Sequence, residues 1–466
     1  MAPPRSMSPF ASPRPLRSPR TATPKVIKRN ISLCDLADDG PPQLDSLDEN
    51  RAQVGKEARA LLKDAQEACD EEAFQAAERA AADALQMFRE IGDRSGVARA
   101  LRCIVSAYQG RDELDAAYNR ASEELERCRA NGNKLGEAAM MMALVDLKLL
   151  QAVRPKEVIS LAKSALAMVQ QLKDRAWEAE GLVTLARSYE NTQKAENMLR
   201  AARAAVEAFK QVGDRKGEAQ ALHCLATAAS LNNEVMEAVR CSSEACAILN
   251  GLGLACQEAA ELMSLAEFHK ACKDDMKMLQ AAEDAMAIYR AKNSLPGQSN
   301  ALRLLVKSYC TAQNDLKGIE VAEAALEQFR GQRYKRGEAV ALDQIASVQY
   351  NMRRPSEALD NALQALDIIK ELEDLPWEAV MLHSVAALRC ATKQYPEALQ
   401  AAQEAIWILE DIGDRSGQAY VRLNTVLQVM ATDTVGVDIE MKTLSWKLAL
   451  CTRSSLIKQL DAYTTL

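Results

Sequence analysis

The sequence predicts an all-α solenoid of about nine to ten helical hairpins, closed by a C-terminal helix. Three observations carry this. A turn-like segment recurs at 40-residue intervals, apolar residues keep a fixed helical phase with it, and the composition favours helix formers. Ala, Leu, Glu, Lys and Arg dominate the 466 residues, against only 6 Phe and 4 Trp. Such a composition is rich in strong helix formers and poor in strand formers.

The chain opens with a segment of another kind. Seven prolines fall within the first 24 residues, interleaved with Ser and Arg. Residues 1–34 hold seven basic groups and no acid, which leaves about −14 of the net −7 on the remainder. A segment this poor in apolar residues cannot repay the entropy of ordering, so residues 1–50 are expected to be a disordered basic tail with an acidic linker from Asp35 to Glu49. Ser8, Ser12, Ser18 and Thr23 each precede Pro, and Ser32 follows Arg29 by three residues. These are candidate phosphorylation sites, and phosphates there would cancel the tail's basic charge. An acid-free, Ser- and Arg-bearing start also suits an organelle-targeting segment, though the prolines oppose an amphipathic helix.

From residue 51 onward the repeat takes over. Its turns read Gly92-Asp93-Arg94-Ser95-Gly96, Gly132-Asn133-Lys134-Leu135-Gly136, Gly213-Asp214-Arg215-Lys216-Gly217 and Gly413-Asp414-Arg415-Ser416-Gly417. The last residue of each serves as an anchor. The anchors are Gly96, Gly136, Trp177, Gly217, Gln257, Gly297, Gly337, Trp377 and Gly417, at intervals of 40 with a single 41. A Gly after an apolar run supplies the left-handed residue that ends a helix. The Asp or Asn behind it caps the next helix. Glu218 and Glu338 then complement the positive end of the helix dipole.

Each anchor opens a helix A. Two residues on stands a small residue in every unit, Ala98 to Ala419 with Ser299 among them. Five and eight residues on come apolar pairs such as Leu101 and Ile104, Leu222 and Leu225, or Leu342 and Ile345. These offsets share one helical face. Helix B precedes the anchor. Twelve residues back is Ala in all units but one, where Glu124 stands. Eight back is a larger residue such as Phe88, Phe209, Tyr289, Phe329 or Leu409. Small residues let helices approach and large ones fill the gap between hairpins. Polar breaks such as Asn232-Asn233, Arg354-Pro355 and Tyr395-Pro396 separate A from B, with Pro tolerated at a helix start.

This pattern resembles the tetratricopeptide repeat (TPR) in a long form of about 40 residues. The second unit reads Leu101, Ile104-Val105, Tyr108 and Ala117, with Glu124 in place of the second Ala. The eighth reads Leu342, Ile345-Ala346, Ala358 and Ala365, and Tyr189 and Tyr309 keep the family's Tyr in two others. The resemblance covers residues 51–431 and implies a right-handed α–α superhelix with a concave binding face. The turns are also similar to those of the Pins-type polarity adaptors. Their repeated Asn is replaced here by Ser106, Asp146, Arg187, Thr227, Glu267, Lys307, Ser347 and Ala387.

The resemblance places the binding surface on the inner face of helix A. The candidate groove residues are Arg99, Arg102, Asp146, Glu180, Arg187, His223, Glu267, Lys270, Arg303, Lys307 and Tyr350. They suit a peptide or helix of mixed charge, with Arg and Tyr as anchors. The function implied is a non-enzymatic adaptor or scaffold. The alternatives are a structural subunit of a larger assembly and a regulatory sensor with a ligand in the groove.

Other chemistries find little support. An acidic body argues against nucleic acid. No apolar run approaches a membrane span. His223 and His383 hold the same repeat position four units apart, and His269 has only Cys272 nearby, so no metal site is expected. Gly251-Leu252-Gly253 lies in an inter-repeat turn, and no P-loop or GxSxG pattern occurs, so no cofactor is expected. Of the twelve cysteines none forms CxxC, and Cys103, Cys224 and Cys246 hold apolar positions. Free thiols in a reducing, cytoplasmic compartment are the expectation. Residues 432–466 read as a capping helix with Leu444, Trp446, Leu448, Leu456 and Leu460, and Thr464-Thr465-Leu466 matches a PDZ-ligand terminus.

Overall fold

The structure is a computed structural model. It describes residues 44–412, apart from positions 112, 151–154, 191 and 193, together with Val421. The predicted phosphosites, the closing helix and the C-terminal tripeptide lie outside the described residues. The chain divides after Ala52, and the array belongs to the unit that begins at Gln53. Eighteen helices and no strand occur among the described residues.

In order they are α1 (Leu44–Asp70), α2 (Phe74–Ile91), α3 (Arg94–Gly110), α4 (Leu114–Ala130), α5 (Lys134–Leu150), α6 (Pro155–Leu172), α7 (Arg175–Tyr189), α8 (Ala195–Val212) and α9 (Arg215–Leu231). There follow α10 (Val235–Gly251), α11 (Ala255–Ala271), α12 (Asp275–Ala291), α13 (Leu295–Thr311), α14 (Asp315–Gly331), α15 (Lys335–Asn351), α16 (Pro355–Glu371), α17 (Leu375–Ala391) and α18 (Tyr395–Asp411). The first helix begins at Leu44, ahead of the boundary at residue 50 read from the sequence. Odd-numbered helices from α3 are the A helices and even-numbered ones the B helices. Along the array helices pack against their neighbours in sequence, and each A helix from α3 also touches the next A helix for most of the array.

The turns work as their residues dictate. Gly92 and Gly213 end α2 and α8 in the left-handed region, at φ 72° and 78°. Asp93, Asn133, Asp214, Ser294 and Asp374 then accept a hydrogen bond from the anchor N–H at Gly96, Gly136, Gly217, Gly297 and Trp377. Each satisfies one of the donors a helix N-terminus leaves free. The backbone carries a shorter period than the side chains. From Gly213 to Lys393 a left-handed residue stands every 20 positions, with φ between 54° and 78°. From α9 onward every helix is 17 residues long.

The anchors are small for a packing reason. A Cβ built on Gly96, Gly217 or Gly297 would run into the ring of Phe88, Phe209 or Tyr289, the large residue eight positions earlier. Where the anchor is Trp177 or Trp377, that partner is Val169 or Ile369, and both members of each pair are buried in one core cluster. At these junctions the volume is kept while the partner that supplies it is exchanged. The Ala column twelve residues before the anchor is buried throughout the described units. Its exception, Glu124, is fully buried and held by Arg89, Arg120 and Arg127 at 2.5, 3.4 and 2.9 Å. A buried carboxylate is tolerated when surrounding donors satisfy it.

The array also contacts itself at long range. At the corner after α1, Asp70 receives the Lys216 ammonium at 2.7 Å and the Gln257 amide at 2.6 Å. Glu72 accepts from the Ser294 hydroxyl at 2.6 Å. Lys216, Gln257 and Ser294 stand at the beginnings of α9, α11 and α13. Curvature thus brings the first corner onto three successive A-helix N-termini, whose dipoles favour its acidic side chains. We refer to this contact as the clasp.

Candidate functional site

Because A helices stack on A helices, the offsets that miss the core face a common groove. Its volume is about 2480 Å³, and it is lined from Arg102 on α3 to Ala391 on α17. Nine of the eleven residues singled out in the sequence line it: Arg102, Asp146, Glu180, Arg187, His223, Glu267, Arg303, Lys307 and Tyr350. Arg99 is exposed and Lys270 half-buried, and neither lines it.

Two groups of ion pairs lie along the groove. On α3, α5 and α7, Asp146 takes Arg187 Nη1 at 2.9 Å and Arg102 Nη2 at 3.5 Å, with Glu180 3.9 Å from Arg102. On α11 and α13, Glu267 meets Lys307 at 2.8 Å and Lys270 at 3.8 Å. Further along, the Arg303 guanidinium lies over the Trp377 ring at 5.3 Å, and Arg336 does so at 5.5 Å. Tyr350 is exposed beyond them.

A further group, between these two along the array, was not foreseen. Glu261 is buried on α11, and its Oε2 lies 2.6 Å from His223 Nδ1. Its Oε1 accepts from the fully buried Ser242 hydroxyl at 2.5 Å. The signal lies in columns of the repeat. Four residues past the anchor, the other positions from Ala100 to Met381 are Ala, Met or Gly, and only Glu261 is charged. Fifteen before the anchor, Ser242 is the only residue from Ala81 to Ala402 that is not Ala. Two breaks in neighbouring columns thus meet in space. The acid lies between serine and histidine, so the imidazole has no contact with the hydroxyl that it would need to deprotonate in nucleophilic catalysis.

The three histidines differ accordingly. The Glu261 carboxylate raises the His223 pKa above 6.5, against desolvation and the nearby Arg187, with Glu190 adding to the rise. Burial pushes His383 down to about 4 and also lowers His269. For a raised histidine, the stabilising contribution is complete below the unfolded value and is lost as pH climbs through the folded one. An NMR titration should therefore place His223 above 6.5, and Glu261→Gln should bring it down. A midpoint at or below 6.5 in the unmodified protein would refute the pairing.

No group of metal-binding side chains occurs among the described residues, and none of their helices is long and apolar enough to cross a membrane. Cys103, Cys224 and Cys246 are buried as free thiols at core positions. Residues 337–411, which include α16, α17 and α18, match the tetratricopeptide repeat family model.

These residues are tetratricopeptide repeats.

The same turns, caps and columns extend the TPR geometry toward the N-terminus as far as α3. No curated protein matches the sequence. Among solved structures, a Rap protein complexed with competence and sporulation factor is 14% identical, with a TM-score of 0.47 over 77% of this chain and 99% of that one. The apo form of the quorum sensor NprR from B. thuringiensis is 12% identical, with a TM-score of 0.47 over 85% and 99%. Aspartyl phosphate phosphatase F from Bacillus subtilis is 13% identical, with a TM-score of 0.45 over 82% and 97%. At these values the likeness does not extend to function.

Proposed function

We propose that this TPR array is a protein-interaction adaptor or scaffold that holds a peptide or helix of mixed charge in its inner groove. The observation that carries the reading is the contrast between two faces of the same helices. Residues facing the core repeat from unit to unit, whereas those facing the groove change in charge and size. A scaffold face needs constancy, while a recognition face needs a particular order of charges. Arg187, Arg303 and Tyr350 are the anchors assigned, because such side chains combine contact area with directed hydrogen bonds. The basic tail, with its Ser-Pro and Thr-Pro sites, supplies a segment whose charge phosphorylation would cancel.

Affinity capture by the full chain, compared with Arg187→Glu, Arg303→Glu and Lys307→Glu, tests this reading. Each reversal should reduce capture of the same partners by about tenfold or more, as expected for anchor residues. Unchanged capture by all three would remove the groove from the interaction. A fixed structural subunit would never appear free in size-exclusion chromatography of endogenous material, which separates that alternative.

A further inference from the structure

Helix α1 ends on a thiol that the groove does not use. Cys69 Sγ lies 3.8 Å from Cys103 Sγ on α3, although 34 positions separate the two residues. Cys103 is buried, and Cys69 is half-buried at the helix end. Closing that gap to a disulfide requires an approach of about 1.8 Å, since the S–S bond is ~2.05 Å long. Asp70 follows directly, and Glu72 two residues later, so the thiol pair sits at the base of the clasp.

We propose that Cys69 and Cys103 form a reversible, peroxide-oxidised dithiol that staples α1 to α3 and holds the clasp closed. In the first step the Cys69 thiolate attacks one oxygen of hydrogen peroxide. The O–O bond breaks, hydroxide leaves and takes up the proton Cys69 had lost, and Cys69 becomes a sulfenic acid. In the second, Cys103 Sγ attacks Cys69 Sγ and the S–O bond breaks. The departing hydroxide combines with the Cys103 proton as water. The two sulfurs together lose two electrons, and one peroxide is reduced to two waters.

The surroundings favour Cys69 as the sulfur attacked first. Its hydrogen bond with Cys103 lowers the Cys69 thiol and raises that of Cys103; burial and Asp70 oppose the lowering, and Lys216 supports it from across the clasp. Cys256 and Cys310 are also half-buried, but burial raises both. The sulfur beside Cys272 is the thioether of Met236, which cannot complete a disulfide. Access, thiolate character and a resolving thiol thus coincide at Cys69. Such a bond would be a transient one in a reducing compartment. The mechanical consequence follows from position. Among the described residues α1 has a repeat on only one side, and a solenoid element with one neighbour opens before those with two. A covalent tie from its last turn to α3 removes that freedom and fixes the residues that make the clasp.

The test treats the fully reduced full-length protein with one equivalent of hydrogen peroxide, then maps peptides under non-reducing conditions. A Cys69–Cys103 linked peptide is expected, reversed by dithiothreitol, with protease cleavage within residues 44–70 slowed several-fold. In Cys103→Ser, Cys69 should instead be trapped as a sulfenic acid by a 1,3-diketone reagent. Prior oxidation of Cys256, Cys272 or Cys310 would overturn the proposal, as would sulfenic acid at Cys69 without linkage in the unmodified protein. Linkage without slower cleavage of α1 would overturn the staple. The mapping uses no variant, so it holds whether or not the serine protein folds.

Discussion

Gly217→Trp is expected to cost several kcal/mol alone, and far less when Phe209→Val accompanies it. Phe209 is fully buried on α8, and its ring occupies the space over Gly217. Overpacking costs about 1–3 kcal/mol for small insertions, and an indole is much larger. Phe209→Val alone removes most of a buried ring and should cost about 2–4 kcal/mol through lost transfer energy and a cavity. The pair recreates what the chain already does at Val169 with Trp177, so the two losses should fail to add by at least ~2 kcal/mol. Thermal and urea midpoints of the four proteins measure this. Additive losses would show that the anchor and its partner do not share one volume.

The second large effect is at the clasp. Lys216→Glu places a second acid against Asp70, whose side chain is only 17% exposed. Loss of a partly buried charge pair, with the repulsion added, should cost about 1–3 kcal/mol after allowance for solvent screening. It should also release the corner after α1 from α9, α11 and α13, so X-ray scattering should report a larger radius of gyration. The exchanged pair Asp70→Lys with Lys216→Asp should restore the compact curve. Raising the salt concentration should narrow the difference between the proteins, because exposed charge pairs are screened. Identical scattering from the single variant and the unmodified chain would mean that the clasp does not set the array's curvature.

These two sites mark how far the sequence could be read. The 40-residue phase, the caps at Asp93, Asn133 and Asp214, and the inner face of the A helices follow from local patterns, because each depends on residues within a few turns of one another. The role of the anchor glycines was less open, since a small residue in a helix does not announce the ring above it. Glu124 read only as a missing Ala, because its arginines come from two helices. Ser242 and Glu261 were visible as breaks in their columns but acquire meaning only when those columns are placed side by side. The clasp left no trace at all: Asp70 and Lys216 are 146 positions apart, and nothing periodic relates a corner to a turn four units later.

The evenly spaced left-handed residues carry one more consequence. Between helices the chain bends the same way at Asn233, Lys273 and Gln313 as at Gly253, Asn293 and Arg333. The turns therefore do not distinguish the step from inner to outer helix from the step back; the side chains they connect do. Inserting twenty residues would preserve every bend yet exchange the duties of all helices beyond the insertion, turning buried alanines toward the groove. The length in which such a chain can grow by duplication is thus set by side-chain chemistry at forty residues, although its turns recur at half that.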